Sequence, residues 1–233
     1  MRKAAVLVGA VFTSVLGLVR PGVRESELAA ELEYQMRRRG ASGPAFETIV
    51  ASGVRSALPH ARPTPKKLRK NELVVLDLGV ILGHYCSDMT RTVYLGRAPR
   101  RIREWYETVR EAQAAGVAAV EAGITCGEVD SAAREVLEKA GLEEHFVHST
   151  GHGLGLEVHE EPRVALGQQV RLQAGNVITI EPGVYVTSAS MPLSNAGRGS
   201  CRPRKHGFTS VPISARLGAP ATTCRLLTMR WNR

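Results

Sequence analysis

The chain has 233 residues, 43% of them hydrophobic and 23% charged, which is enough for a substantial core and ordinary for a globular protein. The formal net charge of +9 is unevenly placed: residues 187–233 carry eight basic residues and no acid, while residues 1–186 hold 23 basic and 22 acidic ones. A near-neutral body, and a basic end without interleaved aromatics, argue against nucleic-acid binding. Cysteines 86, 126, 201 and 224 form no CxxC pair, which argues against a disulfide framework and for a reducing, cytoplasmic setting.

The first apolar run is too short to span a membrane and is interrupted by Gly9, Thr13, Ser14 and Gly17. Val8, Phe12, Val15, Leu16 and Val19 recur at helical spacing, so a buried helix is expected over 3–19, stopped by Pro21-Gly22. A second helix follows over 25–38, then a strand at 48–50, then a proline-punctuated connection over 56–70 that contains His60. Strands are expected at 73–80 and 84–95, turning at Gly79 and Gly83. A third helix over 100–121 carries the stripe Ile102, Trp105, Val109, Ala112, Gly116, Val120. Thr125 and Glu128 form a capping box for a fourth helix that ends at Gly141. Strands are expected at 146–150, 155–159 and 176–186.

The order repeats. Shifted by 101 residues, Gly22, Glu27, Leu28, Met36 and Gly40 meet Gly123, Glu128, Val129, Leu137 and Gly141. Shifted by 104, the run Leu73 to Val80 meets Val177 to Val184, with Asp77 on Glu181 and Gly79 on Gly183. Two related helix–helix–strand halves predict an α+β fold with a site between them.

Chemistry concentrates in three stretches. Asp77 and Asp88 flank a hairpin, and two acids in a partly dry place repel each other unless a proton or cation lies between them. The same pair on a solvated surface hairpin would be inert. Against that, His148, His152 and His159 fall within twelve residues among Gly151, Gly153 and Gly155, and Glu181 follows an apolar strand. The glycine spacing is not a dinucleotide fingerprint. Asp77, Asp88, His152 and Glu181 together offer mostly oxygen donors and one imidazole, a set suited to manganese, iron, cobalt or zinc, and several carboxylates suggest two metals. His60, His148 and His159 are then available to bind a substrate carbonyl or carry protons.

The stretches Asp77-Leu78-Gly79, Ser87-Asp88-Met89-Thr90-Arg91-Thr92, Gly151-His152-Gly153-Leu154-Gly155-Leu156-Glu157-Val158-His159-Glu160 and Ile180-Glu181-Pro182-Gly183 resemble the M24 metallopeptidases, the Xaa-Pro aminopeptidase and Xaa-Pro dipeptidase branch more than the methionine aminopeptidases. The resemblance covers about residues 4–186. It implies the pita-bread fold, two pseudo-symmetric halves with a curved antiparallel sheet backed by helices. It also implies Asp77, Asp88, His152 and Glu181 as metal ligands, His60, His148 and His159 as catalytic or substrate-binding histidines, and two divalent ions, manganese or cobalt first, then zinc or iron. Peptides with proline at the second position are the expected substrates and a homodimer the expected assembly, with neither nucleic acid nor membrane as partner.

Two departures stand out. The family usually has a preceding domain, and it follows its first glutamate with a second, bridging one, whereas here no acid follows Glu181. By the repeat, the mate of Asp88 should lie near Pro192. Residues 1–186 are therefore expected to form the peptidase domain, truncated at both ends, and residues 187–233 to be out-of-frame translation or a disordered basic extension. An unpaired edge along 177–186, with poor solubility, is the expected consequence. Loss of the bridging acid also admits a catalytically inactive binding protein on the same fold. A creatinase-like C–N hydrolase, which binds no metal, fits the ligand set less well.

Overall fold

The computed structural model describes residues 1–186 and the backbone of 213–216. Four α-helices alternate with short antiparallel strands in the order α1 (Arg2–Val15), α2 (Glu25–Arg38), β1 (Gly43–Pro44), β2 (Ile49–Ser52), β3 (Leu73–Leu78), β4 (Val80–Leu82), β5 (Tyr85–Cys86), β6 (Met89–Tyr94), α3 (Arg100–Ala119), α4 (Cys126–Lys139), β7 (Gly151–Gly153), β8 (Glu160–Val164), β9 (Val177–Ile180) and β10 (Ile213–Arg216). Three antiparallel sheets result, ordered β2-β3-β6, β1-β4-β5 and β10-β9-β7-β8.

The two halves are built alike. Gly22 and Gly123 hold φ of 97° and 96°, a region open to glycine. Gly22 N–H donates to Leu68 O and Leu68 N–H to Val23 O, and the same exchange joins Gly123, Leu172 and Ile124. Thr125 caps α4 through Glu128 N–H while Glu128 accepts from Thr125 N–H, and Glu27 accepts from Arg24 N–H at the same place on α2. The bridges Arg24–Lys67 and Thr125–Arg171 reproduce the shifts of 101 and 104 residues. The strand register is shared as well: Ser52 faces Val74, and Gly153 faces Ile178.

Alternation along β3 and β9 places the chemistry. Val74, Leu76 and Leu78 point into a core with Val8, Phe12, Leu28, Leu32 and Met36 of α1 and α2. Ile178 and Ile180 do the same against Val129 and Cys126 of α4. Val75 and Asp77, and likewise Glu181, are left on the opposite side, lining one cavity. Each fully buried leucine contributes roughly 1.5–3 kcal/mol, so a register slip that exchanged the two faces is strongly disfavoured. The α1 residues Val8, Phe12 and Val15 are buried as expected, and Leu16 is exposed. Among the described residues, no helix is long and apolar enough to cross a membrane.

Several strand boundaries differ from expectation. The 73–80 strand splits at Gly79, where a Cβ would lie 2.1 Å from Ser87 O, so the chain passes from one sheet to another at a backbone contact. Gly83 and His84 both have positive φ, 57° and 69°, and close a two-residue hairpin between Leu82 and Tyr85. Strands form at 151–153 and 160–164 rather than 146–150 and 155–159. Glycine-rich sequence that reads as loop is strand here because it lets two backbones touch. The last strand stops at Ile180, before Pro182, which has no amide hydrogen for a ladder. The expected open edge is absent over Val177–Ile180: β10 pairs with it, Ile213 facing Ile180 and Arg216 facing Val177. That removes the reason for expecting an exposed edge there. The expectations for 187–212 and 217–233 lie outside the described residues.

Replacing Thr125 by alanine removes the α4 cap and should lower unfolding free energy by about 1 kcal/mol. Urea denaturation with an unchanged slope checks this.

Candidate metal centre

The site assembles where β3, β6, β7 and β9 meet. Asp77 is the penultimate residue of β3, opposite Thr90 of β6, whose hydroxyl donates to Asp77 Oδ1 at 2.7 Å. Asp88 immediately precedes β6. His152 is the centre of β7, between two glycines that admit no side chain. A Cβ on Gly151 would lie 1.9 Å from Thr179 O, and one on Gly153 would lie 2.3 Å from Glu161 O. Backbone contact with β9 and β8 is thus what sets the depth of the imidazole.

His152 Nε2 lies 3.0 Å from Glu181 Oε1 and 3.4 Å from Asp88 Oδ2. Ligand atoms of Asp88, His152 and Glu181 all fall within 4.8 Å of one another. His152 Nδ1 donates to Gly153 O at 2.9 Å, which leaves Nε2 as the nitrogen facing the carboxylates: it donates to them when protonated and would be the ligand atom if an ion replaced that proton. Thr179 Oγ1 accepts from His152 N–H at 3.0 Å and donates to Glu181 Oε1 at 2.9 Å, so one hydroxyl ties both side chains together.

The electrostatics are those of crowded acids. Burial, followed by the charge of Asp88, holds Asp77 well above the usual carboxylate range. Burial also raises Asp88, against a hydrogen bond from His152. Burial would lower the His152 imidazole, but its hydrogen bonds to Asp88 and Glu181 outweigh that and push it up to about 10. Three carboxylates and an imidazole that must share protons to coexist form a set that a divalent cation relieves, and the oxygen-rich donors suit such an ion.

The cavity measures about 850 Å³ and is also walled by His60, His148 and His159. The His159 ring stands edge-on to His152, with centroids 4.4 Å apart. Burial lowers the pKa of His148 and His159, and for His159 the charge of His152 lowers it further. His148 is anchored, Nδ1 to Ser149 O at 2.8 Å and Nε2 to the Tyr185 hydroxyl at 3.1 Å.

All seven residues singled out from sequence therefore line one cavity, with Asp77 outside the tightest group of three. Sequence reasoning missed Thr90, Thr179 and Tyr185. The threonines had a signal, since each sits two residues from an acid on the same strand face, Thr90 after Asp88 and Thr179 before Glu181. Tyr185 had none, because it reaches His148 after the β9 ladder has ended.

Residues 1–206 match the pattern of Metallopeptidase family M24. The chain belongs to this family. It is 45% identical over 186 residues to the Xaa-Pro dipeptidase of Pyrococcus furiosus, covering 80% of this chain and 53% of that protein. It is 42% identical over 186 residues to the uncharacterized peptidase YqhT of Bacillus subtilis, again 53% of it. Among solved structures, the Xaa-Pro dipeptidase from Bacillus anthracis superposes with a TM-score of 0.82 at 38% identity, covering 93% of this chain and 56% of that one. The prolidase from Pyrococcus furiosus gives 0.82 at 40% identity, covering 92% and 59%. This M24 chain thus spans about half the length of the curated relatives it matches, 53% in the case of the Pyrococcus enzyme. Its fold is the pita-bread fold of these neighbours.

Because the M24 centre depends on backbone contact at β7, Gly151→Ala should cost about 2 kcal/mol through overpacking. A lowered melting temperature, accompanied by weaker Mn²⁺ binding in calorimetry, is the expected result.

Proposed function

We propose that residues 1–186 form a metal-dependent peptidase domain that hydrolyses the bond between an N-terminal residue and proline. The observation carrying this reading is the meeting of Asp88, His152 and Glu181 within 4.8 Å, in a cavity shared with Asp77 and three further histidines. Similarity to an Xaa-Pro dipeptidase and a prolidase supports the proline specificity.

Asp77, Asp88, His152 and Glu181 are the residues that would hold divalent ions, manganese or cobalt by preference. Such ions supply Lewis acidity and a nucleophile from water at neutral pH. The chain's own residues do the rest. Gly153 O takes the Nδ1 proton of His152 and so keeps Nε2 turned to the carboxylates, while Thr90 and Thr179 fix the Asp77 and Glu181 carboxylates. His159 and His60 face the cavity as donors to the carbonyl oxygen, which gains charge as the bond breaks. His148, held at both ring nitrogens by Ser149 O and the Tyr185 hydroxyl, would meet substrate as part of the cavity wall. A cavity of about 850 Å³ has room for a short peptide. A homodimer working in the cytoplasm fits the buried free thiols Cys86 and Cys126 and the family reading. The sequence of residues 187–233 fits out-of-frame translation or a basic extension, although Ile213–Arg216 pairs with β9, and reading the other frames of the gene after codon 186 tests which it is.

A second reading, an inactive pita-bread binding protein, is favoured by one fact: no acid follows Glu181, so none in that segment answers Asp88. The two readings differ in a direct experiment on the full chain. Incubated with Mn²⁺ or Co²⁺, it should hydrolyse Xaa-Pro dipeptides, and chelation should abolish turnover. Asp88→Asn and His152→Ala should each reduce it by about a thousandfold or more. Tight ion binding without hydrolysis would establish the binding protein instead, and hydrolysis indifferent to chelators would end the metallopeptidase reading.

Titration calorimetry should find two ions per chain, the second weaker, because three carboxylates leave one positive charge of two divalent ions unbalanced. Thr179→Val and Thr90→Val should each weaken Mn²⁺ affinity about tenfold, since they remove partners that orient the carboxylates.

A further inference from the structure

Glu25 is a charged residue at the first position of α2, yet it is 0% exposed. It accepts five hydrogen bonds. Oε1 takes Ser52 N–H at 2.8 Å and Ser52 Oγ at 2.7 Å. Oε2 takes Thr64 Oγ1 at 2.7 Å, Thr64 N–H at 3.2 Å and Arg55 Nε at 3.1 Å. Ser52 and Thr64 bracket one segment, and His60 stands in its middle. Arg55 spans the segment from inside, donating through Nη2 to Arg62 O as well as through Nε to Glu25. Lys66 Nζ continues the network to Ser52 Oγ at 2.6 Å and to Glu72 at 2.8 Å. Burying a carboxylate this deeply is costly and needs full hydrogen bonding, which the segment supplies from both ends.

The other half uses the same device with a different acid. The position equivalent to Glu25 is Cys126, but one helical turn later Asp130, also 0% exposed, accepts Thr150 N–H at 3.1 Å and pairs with Arg134 at 2.6 Å. Arg134 in turn donates to His148 O at 2.9 Å. In each half, a buried carboxylate on the second helix holds a segment that brings a histidine to the cavity.

We infer that Glu25 is a positioning residue for His60: it fastens both ends of the 52–64 segment and so sets where the His60 imidazole meets a bound peptide. The inference rests on the reading of His60 as a substrate-facing histidine. Glu25 touches no reacting atom. It acts through the loop, and the Gln replacement keeps its size while halving its capacity to accept.

The test uses the full chain, Glu25→Gln, and Thr64→Val as a milder change on the loop side. Hydrogen–deuterium exchange resolved to peptides should speed up about tenfold in 55–64 in both variants, while residues 177–181 stay within about twofold. Mn²⁺ affinity should also stay within about twofold, because no proposed ligand is touched. With Mn²⁺ bound, kcat for an Xaa-Pro dipeptide should fall about tenfold in Glu25→Gln, and the change should add nothing to the loss already caused by His60→Ala. Unchanged exchange in 55–64, acceleration spread evenly over the chain in both variants, or an additive loss in the double variant overturns the assignment. If the unsubstituted chain hydrolyses no Xaa-Pro peptide, the functional reading fails, and the exchange comparison alone decides the role of Glu25.

Discussion

The structure depends on like charges being forced together. Asp77, Asp88 and Glu181 would separate in a flexible chain, since Asp88 and Glu181 raise the cost of ionising Asp77, and Glu181 that of ionising Asp88. They are kept close because the strands bearing them have no freedom to move apart. β3 is fixed on one face by the α1–α2 core, β9 is fixed by the α3–α4 core, and the acids occupy the face left over. Hydrophobic burial of residues such as Leu76 and Ile180 therefore sustains the electrostatic strain on Asp77 and keeps Glu181 beside it. A cation would convert that strain into binding energy, so stability of the empty fold and affinity of the site draw on one source.

Glycine supplies the precision. At Gly79, Gly151 and Gly153 the backbone touches another backbone so closely that no side chain fits. These contacts do not add much energy by themselves. They fix the spacing between strands to within about 0.5 Å, the scale on which an imidazole either reaches a carboxylate or misses it. Thr90 and Thr179 then fix orientation, each through a hydrogen bond shorter than 3 Å.

What could be read from sequence divides along these lines. Helical spacing and the Thr125–Glu128 cap located α4, and the repeat located Asp77 and Glu181 on equivalent strands, because periodicity and local capping are short-range signals. His148, His152 and His159 were legible from their density alone. The strands around them were not. Gly151-His152-Gly153 has no strand propensity, and its pairing arises from backbone contact with Glu161 and with Thr179, the latter remote in sequence. Tyr185 was hidden for the same reason, and so was Glu25, whose partners lie 27 to 39 residues away. An acid in the first turn of a helix reads as an ordinary dipole partner until the loop that surrounds it is seen.

The two halves then show which features tolerate divergence. The backbone exchanges at Gly22 and Gly123 are the same bond for bond, while the side chains built on them differ. The buried carboxylate moved one turn, from the place of Glu25 to Asp130, and still holds a histidine-bearing segment. That exchange was possible because a helix presents positions one turn apart on the same face. The partner strands had no such latitude. Asp88 depends on the hairpin that leads into β6, whereas β9 is met by Ile213–Arg216, a stretch of Ile-Ser-Ala-Arg with no acid. Backbone pairing can be completed by any strand of suitable register, but a carboxylate cannot be replaced by pairing. The second half thus closes its sheet with a strand that carries no acid, so sheet pairing and the supply of carboxylates are separable in this fold.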